Sequence, residues 1–316
     1  MKVIDHLNSA EKTLFSFEIL PPLKGKSITS IFDGIDPLME FKPKYINVTY
    51  HREEYVFKER ANGLLEKIAI RKRPGTVGIC AAIMNRYHVD AVPHLICGGF
   101  SKEETENALI DLQFLGIDNV LALRGDSIKT ESTFRPHPEG HSYAVDLIKQ
   151  IIDMNHGNYM TEDYQLEATD FCIGTAGYPE KHFEAMNLTT DLQFLKAKVD
   201  AGAEYIVTQM FFDNEKFFAF VDACRSIGIN VPIIPGLKPI KTLNHATFLP
   251  KVFHIDIPEA LSKELLKCKT NDEVAALGIE WGIQQSKELM AKNVPCIHYY
   301  TMSNSNEVRT IASHVF

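Results

Sequence analysis

One glutamate among aromatic and aliphatic side chains is the first residue that could do chemistry. Glu18 belongs to the run Phe15–Ile19, which ends just before Pro21 and Pro22. Alternate side chains of a strand share a face, so Ser16 and Glu18 would point one way and the apolar residues the other. Burial favours the neutral form of a carboxyl group, so the pattern predicts a general acid with a raised pKa. A structural glutamate in a salt bridge is the alternative.

Polar side chains also fall near the ends of two further β-branched runs. Asn47 and Thr49 share one face of the second run, and Arg124 and Asp126 flank Gly125 at the end of the fourth. An arginine and an aspartate beside a glycine could hold an anionic or heteroaromatic ligand against the backbone. An internal Arg–Asp ion pair explains the same residues.

An amide and a histidine complete the candidate set. Gln209 lines up with Val207 and Phe211 on the sixth run, and its amide can both donate and accept hydrogen bonds. His94 lies inside the apolar third run, where a lone histidine is more often a core residue than a ligand. The sequence has no close His/Asp/Glu cluster and no GxGxxG, P-loop or GxSxG motif, so no metal is expected. Acid, amide and guanidinium groups suit an organic cofactor that performs redox chemistry itself.

These residues can form one site only in a fold that brings the ends of several strands together. Short β-branched or apolar runs alternate with longer amphipathic segments, which is the order expected of βα units around a parallel sheet. Eight such runs favour a closed (β/α)8 TIM barrel, with chemistry at the C-terminal ends of its strands, although an open doubly wound sheet has the same alternation. The predicted strands are Thr13–Leu20, Tyr45–Tyr50, Val89–Cys97, Asn119–Gly125, Phe171–Tyr178, Tyr205–Phe212, Val231–Leu237 and Cys296–Met302.

Helix start signals support this alternation. Ser101 with Glu104 forms a predicted capping box, and Thr190 with Gln193 repeats the pattern. The segment Arg71–Arg86 contains an apolar run of its own, which could be either an extra strand or a helix.

Composition bounds the kind of protein. The 316 residues are 45% hydrophobic and contain no long Pro/Gly/Ser linker, so we expect a single α/β domain over residues 1–316. A net charge of −8 without a basic cluster argues against nucleic acid and anionic membranes as partners and favours a small molecule. Neither a signal peptide nor a membrane-spanning run is recognised, so we expect a cytoplasmic protein. The six scattered cysteines predict buried thiols.

Several segments match one family in order along the chain. They are SFEILPP at 16–22, KPKYINVTY at 42–50, PHLIC at 93–97, LALRGD at 121–126, GYPEKH at 177–182, LKAKVDAGAEYIVTQMFFD at 195–213, IIPGLKP at 233–239 and HYYT at 298–301. With these motifs the chain resembles the methylenetetrahydrofolate reductases over nearly its whole length. The resemblance implies a (β/α)8 barrel with bound FAD, which NADH or NADPH reduces and 5,10-methylenetetrahydrofolate reoxidises in a ping-pong scheme.

The resemblance also implies roles for individual residues. Glu18 matches the general acid that opens the folate's five-membered ring, and Asp126 matches a second catalytic residue near the flavin and the pterin. The residues matched to folate binding are Glu18, Asp126, Gln209 and Tyr300. The residues matched to FAD binding are Thr49, His94, Arg124, Gly125, Asp126, Tyr143, Tyr178, His182, Asp191 and Lys198. Bacterial relatives suggest a homo-oligomer.

Two positions depart from some relatives. Leu243 stands where they have phenylalanine, and Asn304 stands where they have arginine. We also expect no C-terminal S-adenosylmethionine-binding domain and no feedback by that ligand. Another FAD-dependent barrel, similar to proline dehydrogenase, and a partner-dependent flavin- or folate-binding subunit are the alternatives to the reductase.

Overall fold

Eight parallel strands close into a barrel in the computed structural model, which describes residues 1–128, 131, 133–160, 166–301 and 305–316. The barrel strands are β1 (Leu14–Ile19), β2 (Tyr45–Val48), β5 (Asp90–Ile96), β6 (Asn119–Leu123), β7 (Cys172–Gly177), β8 (Tyr205–Met210), β9 (Ile233–Leu237) and β10 (Cys296–Tyr300), while β3 (Glu54–Glu59) and β4 (Leu65–Arg71) form a separate hairpin. The barrel order is β1-β10-β9-β8-β7-β6-β5-β2, and β1 pairs with both β10 and β2. The predicted (β/α)8 fold is confirmed, and the open sheet is wrong.

Helices connect the strands and surround the barrel. They are α1 (Val3–Ser9), α2 (Thr29–Ile35), α3 (Thr76–Tyr87), α4 (Lys102–Phe114), α5 (Ala144–Asn155), α6 (Leu188–Asp200), α7 (Asn214–Ser226), α8 (His245–Phe253), α9 (Glu259–Leu265), α10 (Asn271–Ala291) and α11 (Asn306–Ala312), with a 3-10 helix over Asp36–Phe41. Each predicted strand contains one barrel strand. Met302, the last residue of the eighth predicted strand, lies outside the described residues.

One of the two predicted helix starts is confirmed. The Ser101 side chain caps α4 in a reciprocal capping box with Glu104. The start predicted at Thr190 is wrong, because α6 begins at Leu188 and the Asn187 side chain accepts a hydrogen bond from the Thr190 amide at 2.9 Å. Asparagine is as good an N-cap as serine or threonine, so Asn187, three residues before Thr190, was an equally suitable candidate.

Apolar residues form one layer outside the sheet and another inside the barrel. Phe17 of β1 packs outward, in a large buried cluster with residues of the surrounding helices. Tyr205 and Val207 of β8 face inward, in a second cluster that Val3 of α1 joins. The Val3 amide donates to the Asn119 side chain at the start of β6 at 2.7 Å. Helix α1 therefore covers the N-terminal end of the barrel, and the C-terminal end is the accessible one.

The segment left undecided between strand and helix is mostly helix. Residue 71 ends β4, and α3 begins at Thr76. Strands β3 and β4 pair in antiparallel fashion outside the barrel, and the side chain of Phe57 is 67% exposed. Arg52, just before this hairpin, forms an ion pair with Glu131 at 3.1 Å, which ties the start of the hairpin to the loop after β6.

Five of the six cysteines agree with the prediction of buried thiols. All six cysteines are free, and five of them are buried, while Cys268 is partly exposed. Within the described part of the chain, no helix has the length and apolar character needed to cross a membrane. In the same residues, no group of three or more His, Cys, Asp or Glu side chains has a metal-binding arrangement.

Candidate active site

Glu18 lies near the C-terminal end of β1 and is only 7% exposed. Its Oε2 atom is 3.9 Å from the Nε2 atom of His94 on β5 and 3.9 Å from the Nε2 atom of His298 on β10. Ser16, two residues earlier on the same face, is hydrogen-bonded to Nδ1 of His298 at 2.9 Å. The alternation predicted for β1 therefore places the carboxylate inside the barrel, between two imidazoles.

The charge state of Glu18 differs from the prediction. Burial raises the pKa of this carboxyl group, but His298, His94 and Lys238 favour its charged form, and the pKa lies below its usual value. The raised pKa predicted from the sequence is therefore wrong. The groups that lower the pKa, with His298 the most important, lie on other elements of the barrel, so the local sequence of β1 does not reveal them.

Neighbouring polar groups hold the His94 ring. The Asn47 amide on β2 donates to Nε2 of His94 at 3.2 Å, while the Asn47 Oδ1 atom is buried and has no hydrogen-bond partner among the described residues. Burial lowers the pKa of His94 to about 4. His94 is therefore neutral near pH 7, and an unsatisfied acceptor stands next to it, inside the barrel.

Gln209 sits at an irregularity in β8. The register with β9 shifts between Val207 and Met210, where three residue steps on β8 oppose two on β9. A bulge of this kind breaks the alternation of side chains. Val207 faces the barrel interior, whereas Phe211 packs outward against Phe217 of α7, so the prediction that Gln209 lines up with both was wrong. The Gln209 side chain is partly exposed, and its Oε1 accepts a hydrogen bond from the Met210 amide at 2.9 Å.

Tyr300 reaches from β10 across β9 to this bulge. Its hydroxyl donates to the Thr208 carbonyl at 2.5 Å, and burial raises the pKa of that hydroxyl well above its usual value. A Cβ atom at Gly236 would lie 2.3 Å from the Thr208 carbonyl oxygen and 2.6 Å from the Tyr300 ring. Glycine in the IIPGLKP motif therefore allows the tyrosine to cross the strand between them.

Arg124, Gly125 and Asp126 follow β6 on another part of the rim. Gly125 has φ = +84°, a conformation that favours glycine, so the chain turns here and Asp126 is exposed. The Arg124 guanidinium forms an ion pair with Glu184 and lies 4.9 Å from the centre of the Phe134 ring. The alternative of an internal Arg124–Asp126 pair is wrong, because Glu184 takes that place.

Four residues matched to FAD binding come together at the end of β7 and on α6. The Lys198 ammonium donates to the carbonyl of Ala176, and burial lowers its pKa to about 8. Asp191 accepts a hydrogen bond from the His182 amide at 2.9 Å, and the His182 ring packs edge-on against Tyr178 with centroids 4.7 Å apart. Arg124, Asp191 and Lys198 all act electrostatically on His182, so these groups share one region.

The other positions singled out in the sequence lie apart from these two groups of residues. Thr49 is buried, and its hydroxyl donates to the Ile19 carbonyl at 3.2 Å. Tyr143 is 62% exposed at the start of α5, and Leu243 is 45% exposed in the segment before α8. Asn304 lies outside the described residues. His298 was missed as a site residue, although its place two residues before Tyr300 puts it on the same face of β10.

Comparison with known proteins identifies a family and several relatives of this chain. A family model described as methylenetetrahydrofolate reductase matches residues 2–315. Methylenetetrahydrofolate reductase (NADH) 1 of Arabidopsis thaliana is 34% identical over 316 residues, which cover 96% of this chain and 49% of the relative. The 5,10-methylenetetrahydrofolate reductase of Escherichia coli is 32% identical over 291 residues, which cover 92% of this chain and 86% of the relative. This chain thus spans about half the length of the plant relative.

A solved structure supports the fold alone. It is described as an uncharacterised protein from Clostridium thermocellum that binds two copies of 5-methyl-5,6,7,8-tetrahydrofolic acid. It superposes with a TM-score of 0.59 at 16% identity, and the match covers 98% of this chain and 97% of the solved chain.

The family model, by contrast, covers nearly the whole sequence. This chain therefore belongs to the methylenetetrahydrofolate reductase family.

Proposed function

We propose that this protein reduces 5,10-methylenetetrahydrofolate to 5-methyltetrahydrofolate, with NADH or NADPH as the reductant and FAD as the carrier of the hydride in a ping-pong scheme. The observation that carries the proposal is the buried Glu18 carboxylate, with His94 and His298 on either side, near the C-terminal end of a barrel from this family. A carboxyl group in such a place is suited to donate a proton to a substrate that covers it.

The residues after β6 and β7 fit FAD by their chemistry. FAD combines an anionic pyrophosphate with two flat ring systems, and this region offers the cations Arg124 and Lys198 beside the rings of Tyr178 and His182. Gly125 has a positive φ, so the chain turns between Arg124 and Asp126 at the end of β6. We propose that these residues, with Thr49, His94, Asp126, Tyr143 and Asp191, hold the cofactor. When bound, FAD supplies the hydride chemistry that amino-acid side chains lack.

Glu18 would supply the proton. Interactions with His298, His94 and Lys238 lower its pKa, so the carboxylate is ionised near pH 7. A folate that covers the site would exclude water and raise that pKa, so Glu18 would take up a proton from solvent as the substrate binds. Transfer of this proton to a ring nitrogen of the substrate breaks the carbon–nitrogen bond of the five-membered ring. The resulting iminium carbon accepts the hydride.

Three further residues would position the substrate. Gln209 projects from the β8 bulge with an amide that can hydrogen-bond either folate or nicotinamide. Tyr300 provides an aromatic surface in the same layer as Glu18, because the two residues pair directly between β1 and β10. Asp126 is exposed on the rim, where its carboxylate can accept hydrogen bonds from a pterin and tune the charge around the flavin.

The test separates the two half-reactions under anaerobic conditions. Purified protein with its flavin is mixed first with NADH or NADPH and then with 5,10-methylenetetrahydrofolate, and the visible flavin absorbance is followed. We expect loss of absorbance in the first step and recovery in the second. Loss without recovery would contradict folate as the oxidant, and no loss with either nucleotide would favour the partner-dependent subunit.

A further inference from the structure

Four buried side chains form a chain of hydrogen bonds that leads to Glu18. The Tyr45 hydroxyl on β2 donates to the Cys296 Sγ atom on β10 at 3.3 Å, and the Cys296 thiol donates to the Ser16 hydroxyl on β1 at 3.3 Å. The Ser16 hydroxyl is 2.9 Å from Nδ1 of His298. The other ring nitrogen, Nε2, lies 3.9 Å from the Glu18 carboxylate. The chain therefore ends at the residue proposed as the acid.

The register of the barrel brings these groups together. Ser16 pairs directly with His298 between β1 and β10, and Glu18 pairs with Tyr300 two residues further along. Alternate residues of a strand share a face, so Ser16 and Glu18 both lie beside His298 inside the barrel. The His298 ring packs edge-on against Tyr300, with 5.3 Å between the ring centroids, and is 1% exposed. The imidazole is thus held between a hydroxyl group and an aromatic ring.

The direction of the hydrogen bonds indicates which nitrogen of His298 carries the proton. Burial raises the pKa of Cys296 to about 11 and the pKa of Tyr45 well above its usual value, so both groups keep their protons near pH 7. The Cys296 thiol is closer to Ser16, at 3.3 Å, than to the Ile297 carbonyl, at 3.6 Å. The Ser16 hydroxyl then has one proton to donate, and Nδ1 of His298 accepts it. In this tautomer Nε2 carries the ring proton.

The second imidazole beside Glu18 has the opposite arrangement. The Asn47 side-chain amide donates to Nε2 of His94 at 3.2 Å, so this nitrogen is an acceptor. The same nitrogen is the atom that lies 3.9 Å from Glu18. Burial lowers the pKa of His94 to about 4, so the ring gains no second proton near pH 7. Of the two imidazoles, His298 is therefore the one that presents an N–H group to the carboxylate.

We propose that His298 is a positioning residue for the proton step: Ser16 fixes its ring so that the Nε2–H group faces the Glu18 carboxylate. This inference rests on the proposed function, because it concerns the same acid. Hydrogen bonds at active sites often tighten when the substrate binds, so the 3.9 Å separation can shorten at that point. When Glu18 gives its proton to the folate nitrogen, this N–H group stabilises the negative charge left on the carboxylate, and His298 keeps its own proton.

The first measurement determines the tautomer of His298 by nitrogen NMR of protein labelled at the histidine rings, without folate. His298→Gln identifies the resonances by their absence. We expect a proton on Nε2 and an unprotonated, hydrogen-bonded Nδ1. Ser16→Ala should remove the hydrogen bond to Nδ1 and shift its resonance, whereas Ser226→Ala, at an exposed serine on α7, is the matched control and should not. A proton on Nδ1 in place of Nε2 would overturn the proposal.

The second measurement separates the N–H group from the rest of the ring. A glutamine amide nitrogen can take the place of Nε2, so His298→Gln retains the donor, whereas His298→Met removes it. In His298→Met we expect flavin reoxidation by 5,10-methylenetetrahydrofolate to slow roughly tenfold to a hundredfold, because a hydrogen bond to a charged group is lost. Flavin reduction by NADH or NADPH should change far less, since that step takes no proton from Glu18. His298→Gln should restore most of the rate, which packing alone would not explain.

The pH dependence of the folate half-reaction gives a third readout. An N–H group beside a carboxylate lowers the pKa of that group, so its removal must raise the pKa of Glu18. If protonated Glu18 is the active form, the rate falls as pH rises through this pKa. The fall in His298→Met should therefore come about one pH unit higher than in wild type. His94 on β5, Tyr300 on β10 and Lys238 after β9 also act on Glu18, and they stay the same in every variant.

Ser16→Ala removes one hydroxyl group and replaces His298→Met in both kinetic measurements if that variant does not fold. Equal losses of rate in His298→Met and His298→Gln, or an unchanged pH dependence in the folded variants, would overturn the proposal. If the folate does not reoxidise the wild-type flavin, the proposed function fails, whereas the NMR measurement still decides whether Ser16 fixes the His298 ring.

Discussion

Two parts of the rim handle charge in different ways. On the acid side, formed by Glu18, His94 and His298, every side chain is less than 10% exposed and faces strand residues inside the barrel. On the cation side, formed by Arg124 and Lys198, the groups are partly exposed and contact a loop carboxylate or a backbone carbonyl. On the acid side, burial and neighbouring strand residues together set the protonation of Glu18 and His94, whereas groups on the cation side can exchange their present partners for an anionic ligand. This difference fits the proposed function, in which Glu18 donates a proton and Arg124 and Lys198 help to hold the cofactor.

The largest effect should come from Glu18→Gln. The amide cannot donate an acidic proton, so we expect flavin reoxidation by the folate to slow roughly 10²–10⁴-fold. Reduction of the flavin by NADH or NADPH should remain, because that step needs no acid from this side chain. Anaerobic stopped-flow absorbance measures both steps. Glu11→Gln, an exposed glutamate before β1, is the control, and equal loss of both half-reactions would remove the distinction between the two sides.

The cation side is tested by Lys198→Met. A hydrogen bond to a charged group contributes about 1.5–3 kcal/mol, so we expect FAD to bind the apoprotein roughly tenfold to a hundredfold more weakly. Flavin fluorescence titration gives the Kd. Lys196→Met is the matched control, since Lys196 lies on the same helix but pairs with Asp200 at the surface. If both variants bind FAD equally well, Lys198 does not hold the cofactor.

Protonation of the acid side should weaken the fold at low pH. Burial lowers the pKa of His94 from 6.5 to about 4, so the folded protein binds this proton less readily than the unfolded chain does. The resulting stability is present above pH 6.5 and is lost as pH falls from there towards about 4. We expect His94 to account for a loss of about 2 kcal/mol between pH 7.5 and 5 in urea unfolding. His94→Gln should flatten this dependence, and His314→Gln, an exposed histidine, should preserve it.

The smallest effect concerns a tyrosine below the acid side. The Tyr205 hydroxyl is buried without a hydrogen-bond partner in the described part of the chain, whereas the Tyr299 hydroxyl is hydrogen-bonded to Ser286 at 2.7 Å. We expect Tyr205→Phe to leave the free energy of unfolding unchanged or raise it by up to about 1 kcal/mol. Tyr299→Phe should lower it by about 1 kcal/mol. A clear loss of stability in Tyr205→Phe would mean that the hydroxyl is satisfied by internal water.

Regular strands explain which site features the sequence predicted. The period of two placed Ser16 and Glu18 on one face of β1, and the barrel follows it there. In β8 the bulge interrupts the same period, so the direction of Phe211 was predicted wrongly. The pKa of Glu18 was also predicted wrongly, because the groups that lower it come from β5, β10 and the segment after β9. A local pattern reports burial, but it does not report charges brought in by closure of the barrel.

The hairpin was not recognised for a different reason. Strands β3 and β4 lie outside the barrel, and neither face of β3 is buried, so its residues lack the apolar alternation that marks a half-buried strand. The family resemblance assigned Tyr178, His182 and Lys198 to one binding site, which the alternation of apolar residues could not do. In the structure these three residues lie in one region.

The pairing of β1 with β10 has a consequence for folding. The Ser16–His298 contact joins residues 282 positions apart, whereas the Arg124–Glu184 pair spans 60 positions and the Lys198–Ala176 hydrogen bond spans 22. Contacts between distant positions form late, because a long loop must first be closed. During synthesis the cation side can therefore assemble while β10 is still missing. We expect the surroundings of Glu18 to be among the last parts to form, so under the proposed function a partly folded chain could take up a flavin before it could reduce a folate.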